Sequence, residues 1–574
     1  MCGFVAILGP NATEVGLVER GIEALKHRGP DGQGSWRSAC GRVALGHARL
    51  AIIDLSPAGA QPMTSHDGRG VIAFNGEIYN YAELRDRVDG PFRSTSDTEV
   101  LLELLRKFGP EALPLLRGMF AFAYWDGEKL HVVRDRLGIK PVFYAKHAGC
   151  LYVASEIQAL LAMGVAPIID ETVKECYLSL LYVPPPATGL VGVFSLDPAH
   201  RMEVRVGEDP SPARYWSLPP VEEGFLPSIE AVERHLEDAV RCHLVSDVPV
   251  GVFLSGGLDS SLIVALASKY ARRPLKTFTV VFGDEGGDLD ERRAARLVAE
   301  RFGTEHHELQ VTSELVDRMP LMIQHFGQPF GNPTALLTLA VCEAARQHAT
   351  VILAGDGGDE FFGGYPRYQA EQLAPLLGLV PQAARMAATR VFRSFPGRRR
   401  GSVTDRVERL LTAPGDKCGA GIAWSLHSRS DEAEAYLRSR TDGSDSPLRR
   451  DAQTFLPHNV LAYGDRMSMA ASVEVRVPFC DHVLVEYLSR VADGHKFSLF
   501  QTKRILRAIA RKCLPAGIAN APKRGFNPPI HRWMGGAAAP TDGTAHGEWA
   551  LRVWQAWRAQ LAVDPGWKQR PYSP

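Results

Sequence analysis

The chain has 574 residues, which is too long for one hydrophobic core and predicts two or more domains. Lysine plus arginine and aspartate plus glutamate both number 65, so no net charge favours nucleic acid or an anionic membrane surface as a partner. Nine cysteines without a CxxC pair, and no apolar run of about eighteen residues, favour a cytoplasmic protein that does not span a membrane. Small molecules are the expected partners, and assembly as a homodimer is left open.

Residues 1–205 are predicted to form one domain, because short β-rich segments continue up to a proline-broken stretch at 184–186. Their apolar residues favour a sheet-rich sandwich faced by helices. The predicted strands are Phe4–Leu8, Val43–Ile53, Val71–Phe74, Met119–Trp125, Leu130–Arg134 and Leu151–Ala154, and the predicted helices are Val15–Lys26 and Thr98–Phe108.

Residues 206–574 are predicted to form a second domain, because strands alternate with helices after the proline-rich passage 210–227. This alternation is typical of a parallel sheet built from βαβ units. The chain then becomes mostly helical beyond residue 370, and the tail 535–574 is too mixed to assign. The predicted strands are Val248–Leu254, Lys276–Phe282, His306–Val311 and Thr350–Leu353, with helices Ser260–Tyr270 and Glu291–Phe302 between them.

Cys2 directly follows the initiator methionine, and removal of Met1 would leave its thiol beside its own free α-amine. An α-amine has a pKa of about 7.7–8.0, so near neutral pH it can accept the thiol proton and produce a thiolate nucleophile. A single cysteine near a terminus is more often a small hydrophobe, so this hypothesis needs support from other residues.

Four other groups in this half suit the recognition of a free amino acid. Asn75 and Gly76 follow a predicted strand and could direct an amide and a backbone N–H at one oxygen, although a hairpin turn is the alternative. Arg49 offers a cation for an α-carboxylate and Asp97 an anion for an α-ammonium group. Asp97 could equally cap a helix, and Arg49 could be a surface charge.

The segments MCGFVAIL, HRGPDG, HARLAIIDL, QPM, FNGEIYN, SDTEVLLELL, GMFAFAYWD and RDRLGIKPVFY together resemble the glutaminase domain of class II glutamine amidotransferases. The resemblance implies an N-terminal-nucleophile fold, an αββα sandwich with two antiparallel sheets between helices. It also implies that Cys2 attacks the glutamine amide and that Asn75 and the Gly76 N–H stabilise the oxyanion. The implied glutamine-binding residues are Arg49, Asn75, Gly76, Glu77 and Asp97.

A glycine turn, SGGLDSS at residues 255–261, follows a predicted buried strand and opens a helix. Glycines allow close approach, and free N–H groups, serine hydroxyls and the helix dipole favour a phosphate. Asp259 could hold Mg²⁺ bound to that phosphate. A capped Gly-Gly turn is the alternative, and the full motif after an apolar strand disfavours it. The spacing differs from GxxxxGKS and resembles the pyrophosphate-loop ATPases, which release pyrophosphate.

A second acidic turn, AGDGGDEFFGGY at residues 354–365, follows another predicted strand. It carries three carboxylates, those of Asp356, Asp359 and Glu360. They could hold a metal ion, receive a proton or merely solvate a turn, and the phosphate-binding motif at 255–261 favours the first two.

Together with GDRMSMAASVEVRVPFCDH, QTKRILR and PKRGFNPPIHRW, these turns resemble the synthetase domain of glutamine-hydrolysing asparagine synthetases. The resemblance implies a parallel-sheet α/β ATPase domain with a helical C-terminal part, using ATP and Mg²⁺. A carboxylate, that of aspartate, would attack the α-phosphorus, and ammonia would then displace AMP. By matched position, Ser255, Gly256, Gly257, Asp259 and Ser260 bind pyrophosphate, Asp259 and Asp359 hold Mg²⁺, Lys503 stabilises charge at phosphorus, and Leu254, Val280 and Gly355 contact adenosine.

Two departures from that family's pattern concern the acceptor. Asp356 stands where some asparagine synthetases carry a glutamate, which bears on its role in proton transfer involving the ammonia. Gly327, Gln328 and Asn332 stand where related sequences often have acidic residues. The same chemistry on a sugar uronate or a natural-product acid is therefore an alternative, and a non-catalytic nucleotide sensor is an alternative of another class.

Overall fold

The structure is a computed structural model in which two different sheet architectures follow each other along the chain. It describes residues 2–10, 12, 14, 16–271, 273–282, 291–393, 411–412, 417–428, 430–441, 443–523, 528, 533 and 544–563. Among these residues, no helix combines the length and the apolar character that a membrane crossing requires.

The N-terminal half contains two six-stranded sheets whose strand pairs are antiparallel. One sheet has the order β10-β8-β9-β1-β3-β2 and the other the order β12-β11-β7-β6-β5-β4. The strands are β1 Gly3–Leu8, β2 Gly32–Arg37, β3 Val43–Arg49, β4 Met63–Thr64, β5 Val71–Ile78, β6 Gly118–Trp125, β7 Leu130–Arg134, β8 Phe143–His147, β9 Cys150–Ala154, β10 Val193–Ser195, β11 His200–Val204 and β12 Ala213–Arg214.

Side-chain alternation along the central strands creates the layers of this half. Phe4, Ala6 and Leu8 of β1 share one buried cluster with Val71 and Ala73 of β5, so the two sheets pack face to face. The opposite faces of the same strands pack against helices of the two outer layers. The predicted αββα sandwich is thereby confirmed. Its helices are α1 Leu17–Ala24, α2 Tyr81–Arg85, α3 Asp97–Phe108, α4 Ile157–Ala162 and α5 Lys174–Leu180.

The C-terminal half contains a parallel sheet of order β15-β14-β13-β16-β17. Its short strands are joined by helical crossovers, as parallel pairing requires. The strands are β13 Val250–Phe253, β14 Lys276–Val281, β15 Glu305–Gln310, β16 Val351–Leu353 and β17 Glu474–Arg476. This parallel α/β architecture was predicted and is confirmed.

Helices surround this sheet and continue beyond it. The helices are α6 Ile229–His243, α7 Leu258–Ala267, α8 Arg292–Phe302, α9 Met319–Phe326, α10 Thr334–Arg346, α11 Gly358–Phe362, α12 Pro366–Gly378, α13 Gln382–Arg393, α14 Lys417–Ser425, α15 Asp431–Ser439, α16 Pro447–Gln453, α17 Leu461–Ala470, α18 His482–Ser489, α19 Asp493–Lys496, α20 Arg504–Cys513, α21 Ala516–Ala519 and α22 Thr544–Val563. The division at residues 205 and 206 stays a prediction, and β12 lies beyond it while pairing with β11.

The helix α22 lies in the tail that the sequence left unassigned. Trp549, Trp554 and Trp557 of this helix are buried, and it contacts both α5 and α9. The Tyr177 hydroxyl donates a hydrogen bond of 3.0 Å to the carbonyl of Ala550. The helix α22 therefore packs in a core to which both halves of the chain contribute.

Candidate active sites

Cys2 lies just before β1, next to the end of β5. Its backbone nitrogen donates a hydrogen bond of 3.1 Å to Asn75 Oδ1, and its Sγ lies 3.8 Å from the carbonyl oxygen of Leu50. Burial raises the pKa of the Cys2 thiol above its usual value. A neutral thiol needs a proton acceptor before it can act as a nucleophile, and an adjacent α-amine would supply one.

Asn75 lies beside Cys2, and Gly76 follows it on β5. Because Asn75 Oδ1 accepts from the Cys2 nitrogen, its Nδ2 is the group left to donate, and this buried atom has no hydrogen-bond partner within the described residues. Gly76 has a φ of 154°, and a Cβ there would lie 2.1 Å from the Met119 carbonyl oxygen. The close pairing of β5 with β6 thus requires glycine at this position.

Asp97 and Arg49, the two residues predicted to bind the charged groups of an amino acid, belong to different elements. Asp97 is the first residue of α3, but the side chain of Ser96 caps this helix, so Asp97 is not its N-cap. The Asp97 carboxylate instead accepts a hydrogen bond of 2.9 Å from the Ile78 N–H, and burial raises its pKa to about 6. Arg49 ends β3 and donates to the carbonyl oxygens of Ser56 and Asp54.

Arg28 was not nominated from the sequence, yet it joins this site to the C-terminal half. Its Nε donates a hydrogen bond of 2.9 Å to the Cys2 carbonyl. Its Nη1 lies 2.6 Å from Glu156 and 2.9 Å from Asp465 of α17. A fully buried guanidinium needs such carboxylates, but their positions so far along the chain gave no sequence signal.

All the residues nominated for ATP line one cavity of about 540 Å³ at the carboxyl ends of β13 and β16. Gly256 has a φ of 73°, and a Cβ there would lie 2.7 Å from Ala294 Cβ, so the turn requires glycine. The Ser255 N–H donates to Ser260 Oγ at 3.2 Å, which ties the turn to α7. The predicted site residues that line this cavity are Leu254, Ser255, Gly256, Gly257, Asp259, Ser260, Val280, Gly355, Asp356, Asp359 and Lys503.

A cluster of two carboxylates and two lysines lies within this cavity. Lys503 forms ion pairs with both Asp259 and Asp359, and Lys523 pairs with the second oxygen of Asp359. Burial opposes ionisation, but the charges of Lys503 and Lys523 hold the pKa of Asp359 well below its usual range. Lys523 was part of a segment that resembles the family but was not itself predicted as a site residue. Its contact with Asp359 spans 164 residues of sequence, so no local pattern indicates it.

The donor set of this cluster fits Mg²⁺. Asp259 Oδ1 is buried and has no hydrogen-bond partner among the described residues, whereas Oδ2 pairs with Lys503. Carboxylate oxygens are the ligands that Mg²⁺ prefers, usually together with phosphate oxygens of the substrate. Asp259 and Asp359 are therefore suited to share a cation with a bound nucleotide.

The other side of the cavity contains Asp356, Glu360 and Asn332. Burial, together with the charges of Asp359 and Asp259, raises the pKa of Asp356 to about 6 against the effect of Lys523. Asn332 Nδ2 donates a hydrogen bond of 2.6 Å to Asn459 Oδ1, so the lining has a neutral amide at this position. Gly327 instead packs against Ile157 of α4, and Gln328 lines a separate cavity of about 50 Å³.

Residues 1–216 match the glutamine amidotransferase domain family, and residues 231–545 match the asparagine synthase family. The chain belongs to the asparagine synthase family. Asparagine synthetase (glutamine-hydrolyzing) 1 of Bacillus subtilis strain 168 is 33% identical, over 93% of this chain and 88% of that protein. A putative asparagine synthetase (glutamine-hydrolyzing) of Mycobacterium tuberculosis strain H37Rv is 34% identical over the same shares of each chain.

Membership of the asparagine synthase family makes the chemistry an ATP-dependent, glutamine-hydrolysing amidation, with glutamine and ATP as small-molecule substrates. A further relative, named amidase chry2 of Gibberella zeae, is 30% identical over 90% of this chain and 86% of that protein. The names of these relatives therefore describe more than one activity, and the lining of the cavity determines which acceptor binds.

Proposed function

We propose that this protein is a cytoplasmic, glutamine-hydrolysing asparagine synthetase that converts aspartate, glutamine and MgATP into asparagine, glutamate, AMP and pyrophosphate. The observation that carries the proposal is the cluster of Asp259, Asp359 and Lys503, which lines the same cavity as the SGGLDSS turn. A second site on the same chain, around Cys2, supplies the nitrogen.

The proposed glutaminase reaction begins after Met1 is removed. The free α-amine of Cys2 takes the thiol proton, and Sγ attacks the side-chain carbonyl carbon of glutamine. Asn75 Nδ2 and the Gly76 N–H donate to the oxyanion, while Arg49 binds the α-carboxylate. Ammonia leaves with a proton from the α-amine, and water then hydrolyses the thioester to release glutamate.

In the proposed synthetase reaction, an aspartate β-carboxylate oxygen attacks the α-phosphorus of ATP, and the bond to the pyrophosphate oxygen breaks. Residues 255–260 hold the leaving pyrophosphate, and Lys503 stabilises charge that develops at phosphorus. Mg²⁺ held by Asp259 and Asp359 would neutralise phosphate charge. Leu254, Val280 and Gly355 contact adenosine in this proposal.

The second proposed step is attack of ammonia on the acyl-adenylate carbon, with AMP as the leaving group. The attacking nitrogen must lose a proton, and Asp356 is the proposed acceptor because its raised pKa of about 6 makes it a stronger base than an ordinary aspartate. Ammonia should pass between the sites inside the protein, where it stays unprotonated.

Another carboxylate, such as a sugar uronate or a natural-product acid, is the second candidate acceptor. The specific observation in its favour is the neutral amide of Asn332 in the cavity lining, which is hydrogen-bonded to Asn459. Aspartate carries an α-ammonium group, which a neutral amide would bind less strongly than a carboxylate would.

The test is AMP and pyrophosphate release by the purified protein with glutamine, MgATP and a panel of carboxylic acids. We expect aspartate to trigger AMP release and to yield asparagine. Release with a uronate but not with aspartate would favour the second candidate. Formation of ADP would overturn the adenylation chemistry, and no turnover with any acid would favour a nucleotide sensor. Asp259→Asn is the control that should lose all AMP release.

A further inference from the structure

The strand β17 of the C-terminal half reaches the proposed glutaminase site of the N-terminal half. It pairs in parallel with β16, placing Arg476 opposite Leu353, and the Arg476 carbonyl accepts a hydrogen bond of 2.8 Å from the Ala354 N–H. Because side chains alternate along a strand, Val475 lines the nucleotide cavity while Glu474 and Arg476 face the other way.

The guanidinium of Arg476 is fully buried and lies between two carboxylates. Its Nε pairs with Glu474, and its Nη2 lies 3.3 Å from Oε1 of Glu77, a proposed glutamine-binding residue on β5. Its Nη1 donates hydrogen bonds to the carbonyl oxygens of His243 and Val245, which fix the plane of the guanidinium. A fixed guanidinium can hold a carboxylate in one orientation better than a lysine can.

The surroundings of Glu77 disfavour the ionised form of its carboxylate. Burial and the charge of Glu474 raise the pKa of Glu77 well above its usual range, and Arg476 opposes this effect. A positive group beside Glu77 would therefore stabilise the ionised form of its carboxylate. The α-ammonium group of glutamine is such a group.

We propose that Arg476 is a positioning residue of the glutaminase site, supplied by the synthetase half, which holds Glu77 in place for the α-ammonium group of glutamine. This inference rests on the proposed role of Glu77 in binding glutamine. Arg476 acts through Glu77 and makes no contact with the reacting atoms. Its removal should therefore weaken glutamine binding and leave the synthetase reaction with free ammonia intact.

A double-mutant cycle on the full chain tests this inference, with glutamate formation measured against glutamine concentration. We expect Glu77→Gln and Arg476→Gln each to raise the KM for glutamine about tenfold with little change in kcat. The double variant should have no higher KM than Glu77→Gln alone, because residues that act through one contact are not additive. Ammonia-dependent synthesis should stay unchanged in every variant.

The matched control is Arg117→Gln. Arg117 also pairs across the two halves, with its Nε 2.8 Å from Asp481 and a second contact to Asp238. It pairs with no proposed glutamine-binding residue within the described structure, so its variant should keep the wild-type KM for glutamine. If Arg476 had only a structural role, Arg476→Gln and Arg117→Gln would have the same KM for glutamine.

The outcomes separate this inference from the proposed function. An unchanged KM in Arg476→Gln, or additive effects in the double variant, would overturn the role of Arg476 while Glu77 keeps its own. An unchanged KM in Glu77→Gln would instead overturn the proposed role of Glu77. If Arg476→Gln does not fold, Arg476→Lys decides: a smaller rise in KM supports the inference, and no rise in the folded protein overturns it.

Discussion

The thiol of Cys2 and the nucleotide cavity lie in different halves of the chain, so one side chain should separate the two reactions. Cys2→Ala removes the proposed nucleophile, and glutamine-dependent synthesis should fall by about a thousandfold or more. Synthesis with ammonium chloride should persist, because the cavity is untouched. The exposed thiol of Cys40 gives the control, since Cys40→Ala should retain both activities. Glutamine-dependent turnover in Cys2→Ala would refute the assignment of the nucleophile.

Asp97 should make glutamine binding depend on pH. Burial raises its pKa to about 6, so it is anionic above that pH and loses its charge as the pH falls below it. The α-ammonium group stays protonated throughout, so affinity for glutamine should drop about tenfold per pH unit below the pKa. Calorimetric titration of glutamine into Cys2→Ala on either side of pH 6 measures this effect without hydrolysis. Asp97→Asn should reduce the dependence to the contribution of Glu77, whose pKa is also raised, and an identical profile in that variant would show that Asp97 does not cause it.

At the scale of elements, the turn between β13 and α7 depends on Gly256. Alanine there meets both a φ of 73° and a contact of 2.8 Å with the backbone nitrogen of Ala295 in α8. Gly256→Ala should therefore displace the phosphate-binding turn and abolish AMP formation, while glutaminase activity persists. Gly303 ends α8 with a φ of 62° but has open space around it. Gly303→Ala should lose only about 1–2 kcal/mol of stability and keep AMP formation, as rates and thermal denaturation will measure.

Local sequence patterns identified those elements whose apolar residues alone favour a strand or helix. β7 has the predicted bounds, and β1 and β6 differ from theirs by one residue. β2, with the sequence GQGSWR, was missed because its glycines and polar residues form a strand only by pairing with β3. β17 was missed for a related reason, since three residues within a mostly helical region depend on pairing with β16.

The candidate sites were predicted to a similar extent. The turn motif at 255–261 identified Asp259, because a turn places its chemistry within a few residues of sequence. Asn75 was also identified, but it lies inside β5, so the predicted turn at Asn75 and Gly76 was wrong. Arg28 and Arg476 were not predicted, although each is fully buried beside a carboxylate from the other half of the chain. Their contacts arise only when the two halves pack together, and no local spacing encodes that event.

At the scale of the whole molecule, α22 carries a side chain that packs against both halves. The Trp557 ring is fully buried, its Nε1 donates to the Gly327 carbonyl at 3.3 Å, and a Cβ on Gly189 would lie 2.7 Å from it. Trp557→Ala should lower the free energy of unfolding by about 3–5 kcal/mol. Leu551 on the same helix is 38% exposed, so Leu551→Ala should change it little.

The same substitution should also affect how the two reactions cooperate. Ammonia released at Cys2 is useful only while the N-terminal half stays packed on the synthetase half. Loosening the junction at Trp557 should therefore reduce glutamine-dependent synthesis more than ammonia-dependent synthesis, measured as the ratio of amide product from the two nitrogen sources. Equal losses from both sources would mean that α22 stabilises the synthetase half alone. A normal ratio in Leu551→Ala would tie the effect to the buried ring, because both variants alter the same helix.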